Sequence, residues 1–208
     1  AHGSTFPQGV IDKFPTFDGV ILGPNDGAAY PPRDQGGINY SGFTRTHFDL
    51  YANYRPARTP PGMPAPHGQM DLVIMRELTE GHYSDRNMYM GIAEMMPTPD
   101  MAISIRKVTR HACERIARRA FELAMTRRKY VTAVHKANVL KMGDGLFLEA
   151  VRTVAEDFPE VRLDDVLVDA MCAHIVRTPD RFDVIVTENL YVDLLSDLAS
   201  ELSGLLGL

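Results

Sequence analysis

From residue 130 onward, strand-like apolar runs alternate with helix-like patterns, and this alternation limits the possible folds more than any other feature of the chain. Short apolar runs rich in Val and Ile are typical of buried strands, whereas apolar residues three and four positions apart are typical of helices. The sequence predicts strands over 130–134, 165–168 and 182–187, and helices over 145–156, 169–177 and 189–203. Such alternation indicates an α/β fold in which helices pack on a sheet.

The chain before residue 76 shows less regular spacing of apolar residues. A short apolar run closed by glycine, Asp18–Gly23, predicts a buried strand, and the Gly- and Pro-rich stretch over 24–42 predicts a loop. The stretch over 47–57 is expected to hold a helix end and then an extended segment, because Pro56 disfavours helix at the residue before it. A second buried strand is predicted over Met70–Met75.

The segment over 81–103 fits neither the helix period nor the strand period. It holds five of the 11 methionines of the chain, namely Met88, Met90, Met95, Met96 and Met101. Irregular methionine-rich segments can be disordered, but the apolar content here favours an arm that projects and packs against a partner.

The clearest helix is predicted over 104–129, with Ser104 as its N-cap. Its apolar face is formed by Ile105, Val108, Ala112, Ile116, Ala120 and Leu123. The other face carries nine Lys or Arg, interrupted by Glu114 and Glu122. Basic helices can bind nucleic acid, but the interleaved acidic residues favour a face exposed to solvent.

Composition excludes several classes of protein. A chain of 208 residues that is 45% hydrophobic and 24% charged is typical of a folded protein, and its net charge of −5 argues against a nucleic-acid partner. No apolar run approaches the roughly 20 residues that span a membrane, so we expect no membrane partner. Two cysteines, Cys113 and Cys172, without CxxC spacing, favour a reduced, cytoplasmic setting.

Ionisable residues directly follow four of the predicted strands. They are Arg76, the pair His135 and Lys136, Asp169, and Glu188. The carboxyl ends of the strands in an α/β sheet line the crevice where ligands bind. Arg, Lys and Asp side chains gathered there would suit an anionic substrate held near a cation. The alternative is that these strand ends simply meet water.

Two further sets of residues point to the same chemistry. Asp193 and Asp197 lie four residues apart on one helix face, where a divalent cation would relieve their repulsion, with Asp169 as a third carboxylate. The alternative for this helix is a polar face wetted by solvent. Arg45, Arg55 and Arg76 lie in separate segments, and their convergence would clamp a di- or tricarboxylate, whereas unrelated surface positions are the alternative.

Five motifs occur in a familiar order: DLYANYRPA (49–57), RELTEGHY (76–83), HKANV (135–139), VDAM (168–171) and DLLSDLAS (193–200). They resemble the motifs of the isocitrate/isopropylmalate dehydrogenases, which are metal-dependent, nicotinamide-linked decarboxylating dehydrogenases of 2-hydroxy acids. The resemblance implies an isopropylmalate dehydrogenase-like two-domain α/β fold. It places residues 1–50 in the large cofactor domain, 51–203 in the small substrate and dimerisation domain with a projecting arm at about 81–103, and 204–208 at the return to the large domain.

The resemblance also implies site residues. Those expected to bind the substrate carboxylates are Arg45, Arg55 and Arg76. Those expected to hold Mg²⁺ or Mn²⁺ are Asp169, Asp193 and Asp197, with Asp169 supplied by the other subunit of a homodimer. Lys136, also from that subunit, would help to remove the hydroxyl proton, and Tyr83 would protonate the enol carbon. Asn138 would approach the nicotinamide of NAD or NADP.

The resemblance leaves the substrate open among malate derivatives. The sequence Arg76–Thr79 resembles isopropylmalate enzymes and favours 3-isopropylmalate. The polar segment over 39–44 lacks the leucines that those enzymes carry, and Glu80–Gly81 with Tyr83–Ser84 resembles isocitrate or homoisocitrate enzymes. Isocitrate, homoisocitrate, tartrate and D-malate therefore remain alternatives.

The family pattern implies further segments at both ends, namely an opening strand and a C-terminal part that holds the adenosine half of the cofactor. We therefore expect the 208-residue chain alone to bind the cofactor weakly and to show no useful turnover. An alternative from another class is a catalytically inert module that dimerises through its methionine-rich arm.

Overall fold

A five-stranded mixed sheet forms the centre of the larger of two units into which the chain divides, residues 1–50 and 51–208. The structure is a computed structural model, and it describes residues 3–24, 26, 29–65, 68–83 and 93–204. The assignment of these units to a large cofactor domain and a small substrate domain stays a prediction.

In the described part of the first unit, the α-helices are α1 (Gln8–Ile11) and α2 (Tyr40–His47), and short 3-10 helices lie at Phe14–Thr16 and Arg33–Gln35. The Asn39 side chain caps α2 by accepting a hydrogen bond from the Gly42 N–H at 3.2 Å. Helix α2 ends at His47 and an extended strand begins at Ala52, so the helix-to-strand transition predicted over 47–57 is confirmed.

The second unit follows the predicted alternation. Its first strands are β1 (Ala52–Arg58), β2 (Asp71–Glu77), β3 (Glu94–Thr98) and β4 (Met101–Ser104). They are followed by α3 (Arg110–Met125), β5 (Tyr130–His135), α4 (Gly143–Ala155), β6 (Arg162–Leu167), α5 (Val168–Arg177), β7 (Val184–Thr187) and α6 (Asn189–Ser203). Every strand and helix predicted after residue 130 is present, with boundaries shifted by up to three residues.

The main sheet has the strand order β1-β2-β7-β5-β6. Strand β1 is antiparallel to β2, while β2, β7, β5 and β6 are mutually parallel. The carboxyl ends of these four strands therefore meet at one edge of the sheet, and the predicted α/β fold is confirmed.

The sheet is covered on both faces, because successive side chains of a strand point to opposite sides. Val73 and Met75 of β2 pack with α3 and α4, whereas Leu72 and Ile74 pack with α5 and α6. Arg76, which comes two residues after Ile74, therefore faces α5 and α6. This placement brings its side chain to the last helix of the chain.

Helix α3 starts later than the sequence pattern predicts. Ser104 ends β4, where its hydroxyl donates to Glu94 Oε1 at 2.9 Å, so the prediction that it caps the helix is wrong. The N-cap is Thr109, whose side chain accepts from the Ala112 N–H at 3.3 Å. Ile105 fits the helical spacing only by coincidence and is 39% exposed.

The strand predicted over Asp18–Gly23 is wrong. These residues are irregular and exposed, and Ile21 is 98% exposed. A short apolar run has no period of its own, and a strand forms only where a second strand accepts its hydrogen bonds. Among the described residues, no strand pairs with this run.

Part of the predicted arm, 84–92, lies outside the described residues. The remainder contains the antiparallel pair β3–β4, whose residues are all exposed. Within the described part of the chain, no helix has both the length and the apolar character needed to cross a bilayer.

Candidate active site

Arg76 lies at the carboxyl end of β2, buried to 3% exposure, and faces the start of α6. It pairs in register with Thr187 of β7, and α6 begins only two residues later at Asn189. The Arg76 Nε–H and Nη2–H groups donate to Asn189 Oδ1 at 2.7 and 2.5 Å. The two Nη groups also donate to the two carboxylate oxygens of Asp193, which lies one turn further along α6.

Arg55 reaches the same place from β1. It stands opposite Ile74 in the antiparallel ladder and so shares the face of the sheet that α6 covers. Its Nη1–H group donates to Ser196 Oγ at 2.5 Å, and Nη1 lies 3.4 Å from Asp193 Oδ1. Its Nε–H donates to Asn53 Oδ1 at 2.8 Å. Two guanidinium groups therefore meet one carboxylate of α6.

Tyr83 lies beside this cluster. The centre of its ring is 6.0 Å from Cζ of Arg76. The chain just before it is held by a backbone bridge in which the Gly81 N–H donates to the Lys107 carbonyl at 2.8 Å and the Lys107 N–H donates back at 3.1 Å. Gly81 has φ +81°, and a Cβ atom there would lie 2.4 Å from Glu188 Oε2, so only glycine fits this bend.

Lys136 and Asp169 form a separate pair at the ends of the neighbouring strands β5 and β6. Lys136 Nζ donates to Asp169 Oδ1 at 2.5 Å, and the side chains are 27% and 64% exposed. This hydrogen bond from Lys136 lowers the pKa of the Asp169 carboxyl. The Lys136 backbone N–H donates to the buried carboxylate of Asp144, which also accepts from the Tyr191 hydroxyl at 3.2 Å.

The other predicted site residues lie in three places. Asp197 is exposed on α6, one turn after Asp193, so the two carboxylates share a helix face as predicted. Asn138 is exposed in the turn that follows β5. Arg45 lies in the last turn of α2, in the first unit, so the convergence of all three arginines stays a prediction.

Helix α6, at this edge of the sheet, supplies two of the three carboxylates predicted to hold a divalent cation. Asp193 and Asp197 offer carboxylate oxygens, which are the ligands that Mg²⁺ and Mn²⁺ prefer. Across the described residues, no group of three His, Cys, Asp or Glu side chains stands close enough to hold a metal ion. The three aspartates predicted as ligands, Asp169, Asp193 and Asp197, therefore do not form such a group within one chain.

The structure adds groups that the sequence analysis did not assign to the site. Asn189 and Ser196 lie on the polar face of α6 that also carries Asp193, and both contact the arginines. Their position on the same helix face as Asp193, at spacings of three and four residues, was the available signal.

A buried ionic cluster lies behind Gly81. The Arg106 guanidinium forms an ion pair with Asp144 and has Nε 3.5 Å from Glu188 Oε2. Burial raises the pKa of Glu188 to about 7. A cavity of about 20 Å³, room for about one water molecule, lies against Glu188 and Arg106. Glu188 is thus a buried ion-pair member rather than a strand end that meets water.

Comparisons with known proteins agree on one family. The family model described as isocitrate/isopropylmalate dehydrogenase matches residues 1–208. The 3-isopropylmalate dehydrogenase of Sulfurisphaera tokodaii is 45% identical over 164 residues, covering 79% of this chain and 46% of that protein. The isocitrate/homoisocitrate dehydrogenase of Thermus thermophilus is 41% identical over 213 aligned positions, covering 100% of this chain and 59% of that protein.

A solved structure, the isocitrate dehydrogenase of Methylococcus capsulatus, matches with a TM-score of 0.77 and 39% identity, over 95% of this chain and 57% of that one. The chain spans about half the length of the relatives that it matches. The chain belongs to the isocitrate/isopropylmalate dehydrogenase family.

Proposed function

We propose that the protein carrying this chain catalyses the metal-dependent oxidative decarboxylation of a 3-substituted malate, with 3-isopropylmalate favoured and NAD or NADP as hydride acceptor. The observation that carries the proposal is the meeting of Arg55, Arg76 and Asp193 at the carboxyl edge of a parallel sheet. Such edges are where α/β folds bind ligands. Membership of the family supports the reaction class.

The arginines would bind the carboxylates of the substrate. A guanidinium group presents a planar fork that matches a carboxylate with two parallel hydrogen bonds. Arg76 makes this arrangement with Asp193, so the site has room for a carboxylate against this guanidinium. Arg55 and the predicted third member, Arg45, would complete the binding of a dicarboxylate.

Asp193 and Asp197 would hold Mg²⁺ or Mn²⁺ together with the partner's Asp169. When bound, the cation would make the substrate hydroxyl more acidic and would stabilise the enolate that follows loss of carbon dioxide. The spread of the three aspartates over two places in one chain supports a homodimer whose active site is shared between subunits.

Two side chains would move protons. Lys136 follows β5 at the same sheet edge and would take part in removing the hydroxyl proton, acting from the partner subunit together with Asp169. Tyr83 lies beside Arg76 and would protonate the enol carbon. Asn138, in the exposed turn next to Lys136, would approach the nicotinamide ring.

A second candidate substrate is isocitrate or homoisocitrate. The segment over 39–44 is largely polar and carries no leucine that would form an apolar surface for an isopropyl group. Relatives named for each of these substrates match the chain. Tartrate and D-malate are smaller alternatives that need no pocket for a third substituent.

The exposed β3–β4 hairpin supports dimerisation through the predicted arm. Its apolar side chains Met95, Met96, Met101 and Ile103 are each between 43% and 67% exposed. Burial of such surface against a second copy would stabilise the dimer. We propose a cytoplasmic homodimer, and light scattering after size-exclusion chromatography tests its mass.

The test is a substrate panel with the natural-length protein, Mn²⁺ and each nicotinamide cofactor. We expect NADH or NADPH formation with 3-isopropylmalate or isocitrate, and a loss of Mn²⁺ affinity in an Asp193→Asn variant that still unfolds cooperatively. Absence of turnover with every acid, combined with unchanged Mn²⁺ binding in the variant, would favour the inert dimerisation module.

A further inference from the structure

Asn189 is fully buried, and both polar atoms of its side chain have hydrogen-bond partners. It is 0% exposed at the first position of α6. Its Oδ1 accepts from two N–H groups of Arg76, at 2.7 and 2.5 Å. Its Nδ2 donates to the backbone carbonyl of Glu80 at 2.9 Å. One amide therefore joins β2, the segment before Tyr83 and α6.

The chemistry of these neighbours leaves only one orientation for the amide. Arg76 has donors and no acceptor, so it must face the oxygen, and a carbonyl can only accept, so it must face the nitrogen. An aspartate would direct a second oxygen at the Glu80 carbonyl and place another negative charge on Arg76. A serine hydroxyl would be too short to span both groups.

We propose that Asn189 is a positioning residue that sets the plane of the Arg76 guanidinium and links it to the Glu80–Tyr83 segment. Asp193 alone would leave Arg76 free to follow the movements of a partly exposed side chain, which is 34% accessible. Asn189 holds the opposite side of the fork from within the core. This inference rests on the proposed function, because it concerns how Arg76 receives a substrate carboxylate.

The test compares steady-state kinetics of the natural-length protein with Asn189→Ser and Asn189→Asp, using 3-isopropylmalate and isocitrate with Mn²⁺. Loss of a hydrogen bond to a charged group predicts a KM for the acid raised by about tenfold or more, with kcat within about twofold. Ser203→Ala is the matched control, because Ser203 is also a buried polar residue of α6 and bonds only locally, to the Ser200 carbonyl at 3.0 Å among the described contacts. The control should leave KM unchanged.

A double variant separates positioning from general destabilisation. If Asn189 acts through Arg76, Asn189→Ser should raise KM by less than about twofold when Arg76→Lys is already present. An equal rise in both backgrounds, or unchanged KM in the two single variants, would overturn the inference and leave the proposed function intact. So would loss of cooperative unfolding in both single variants, which would assign Asn189 a purely structural role. If the unaltered protein turns over neither acid, the proposed function itself fails and takes this inference with it.

Discussion

Two ion pairs lie at the carboxyl edge of the sheet, and they differ in how far their side chains are buried. In the pair Arg76–Asp193 the arginine side chain is 4% exposed and is bound by Asn189 as well. In the pair Lys136–Asp169 the side chains are 27% and 64% exposed. In the first pair a buried guanidinium between β2 and α6 meets a carboxylate that is 34% exposed, whereas the second pair stands at the surface beyond β5 and β6.

This difference gives Arg76 a structural task in addition to the substrate-binding task proposed for it. Loss of the Arg76 guanidinium would leave the buried Asn189 Oδ1 without its donors, so the fold depends on this arginine. An exposed ion pair contributes little to stability, so Lys136 and Asp169 are available to act on another molecule. In the proposed site one subunit supplies the arginines and its partner supplies the lysine.

The largest effect is expected for the exposed pair. Lys136→Met should lower turnover about 10²- to 10⁴-fold, the usual contribution of a group that transfers a proton, while the urea midpoint of unfolding stays unchanged. Stopped assays of NADH formation measure the loss. Lys129→Met is the control, because Lys129 forms a similar exposed pair with Glu160 at 2.5 Å. An equal loss in the control would contradict a specific role for Lys136.

Dimers that combine two different variants test whether Lys136 and Asp193 of one active site come from different subunits. Lys136→Met and Asp193→Asn subunits should each be inactive alone, yet random mixing should restore about a quarter of the activity, since half of the dimers are mixed and one of their two sites is intact. The assay follows activity against mixing ratio after subunit exchange. Activity that never exceeds that of the parent variants would show that both residues serve the same subunit's site.

The buried arginine should show its effect in stability. Arg76→Met is expected to lower the free energy of unfolding by about 2–4 kcal/mol, because the buried Asn189 Oδ1 loses both of its donors and Asp193 loses its hydrogen bonds to a charged group. Arg55→Met should cost less than about 1 kcal/mol, since Arg55 is 31% exposed at its side chain. Urea unfolding of both variants measures the difference, and equal losses would break the distinction between the two arginines.

A smaller and pH-dependent effect is expected at Glu188. Burial raises its pKa from 4.5 to about 7, so the folded protein keeps this proton to higher pH than the unfolded chain does. The ionisation of Glu188 therefore lowers stability as the pH rises from about 4.5 to 7, and above pH 7 the full cost is present.

Glu188→Gln should remove this part of the pH dependence, and its stability relative to the unaltered protein should rise by about 1–3 kcal/mol between pH 4.5 and 7. Urea unfolding at several pH values measures it. Glu149→Gln, at a side chain 64% exposed, should change little across the same range. A parallel change in both variants would contradict the role of burial.

Local patterns were sufficient to predict the alternation of strands and helices, because strand and helix periods are properties of neighbouring residues. They also located the ionisable residues at strand ends, of which Arg76, Lys136 and Asp169 lie at the same sheet edge. The contact of Arg76 with Asp193 could not be derived in this way. It requires β2 to pair with β7, which lies more than a hundred residues later.

The errors have a common physical origin. The helical spacing continues backward from α3 through Ile105, but pairing of β4 with β3 and the bridge between Lys107 and Gly81 hold this stretch outside the helix. The apolar run Asp18–Gly23 has the composition of a strand, but composition supplies no hydrogen-bonding partner. Pairing between distant segments decides both cases, and no single stretch of sequence contains it.

The alternation of side chains between the two faces of β2 limits where residues can be inserted into this chain or deleted from it. Arg76 faces α6, whereas the next side chain, Glu77, faces α3, where its Oε1 lies 3.6 Å from Arg115. Insertion or deletion of one residue within β2 would move each following side chain to the opposite face of the sheet and place a carboxylate where the Arg76 guanidinium lies. We therefore expect insertions to be tolerated in the loops between paired strands and not within them. A library of single-residue insertions would locate the tolerant positions.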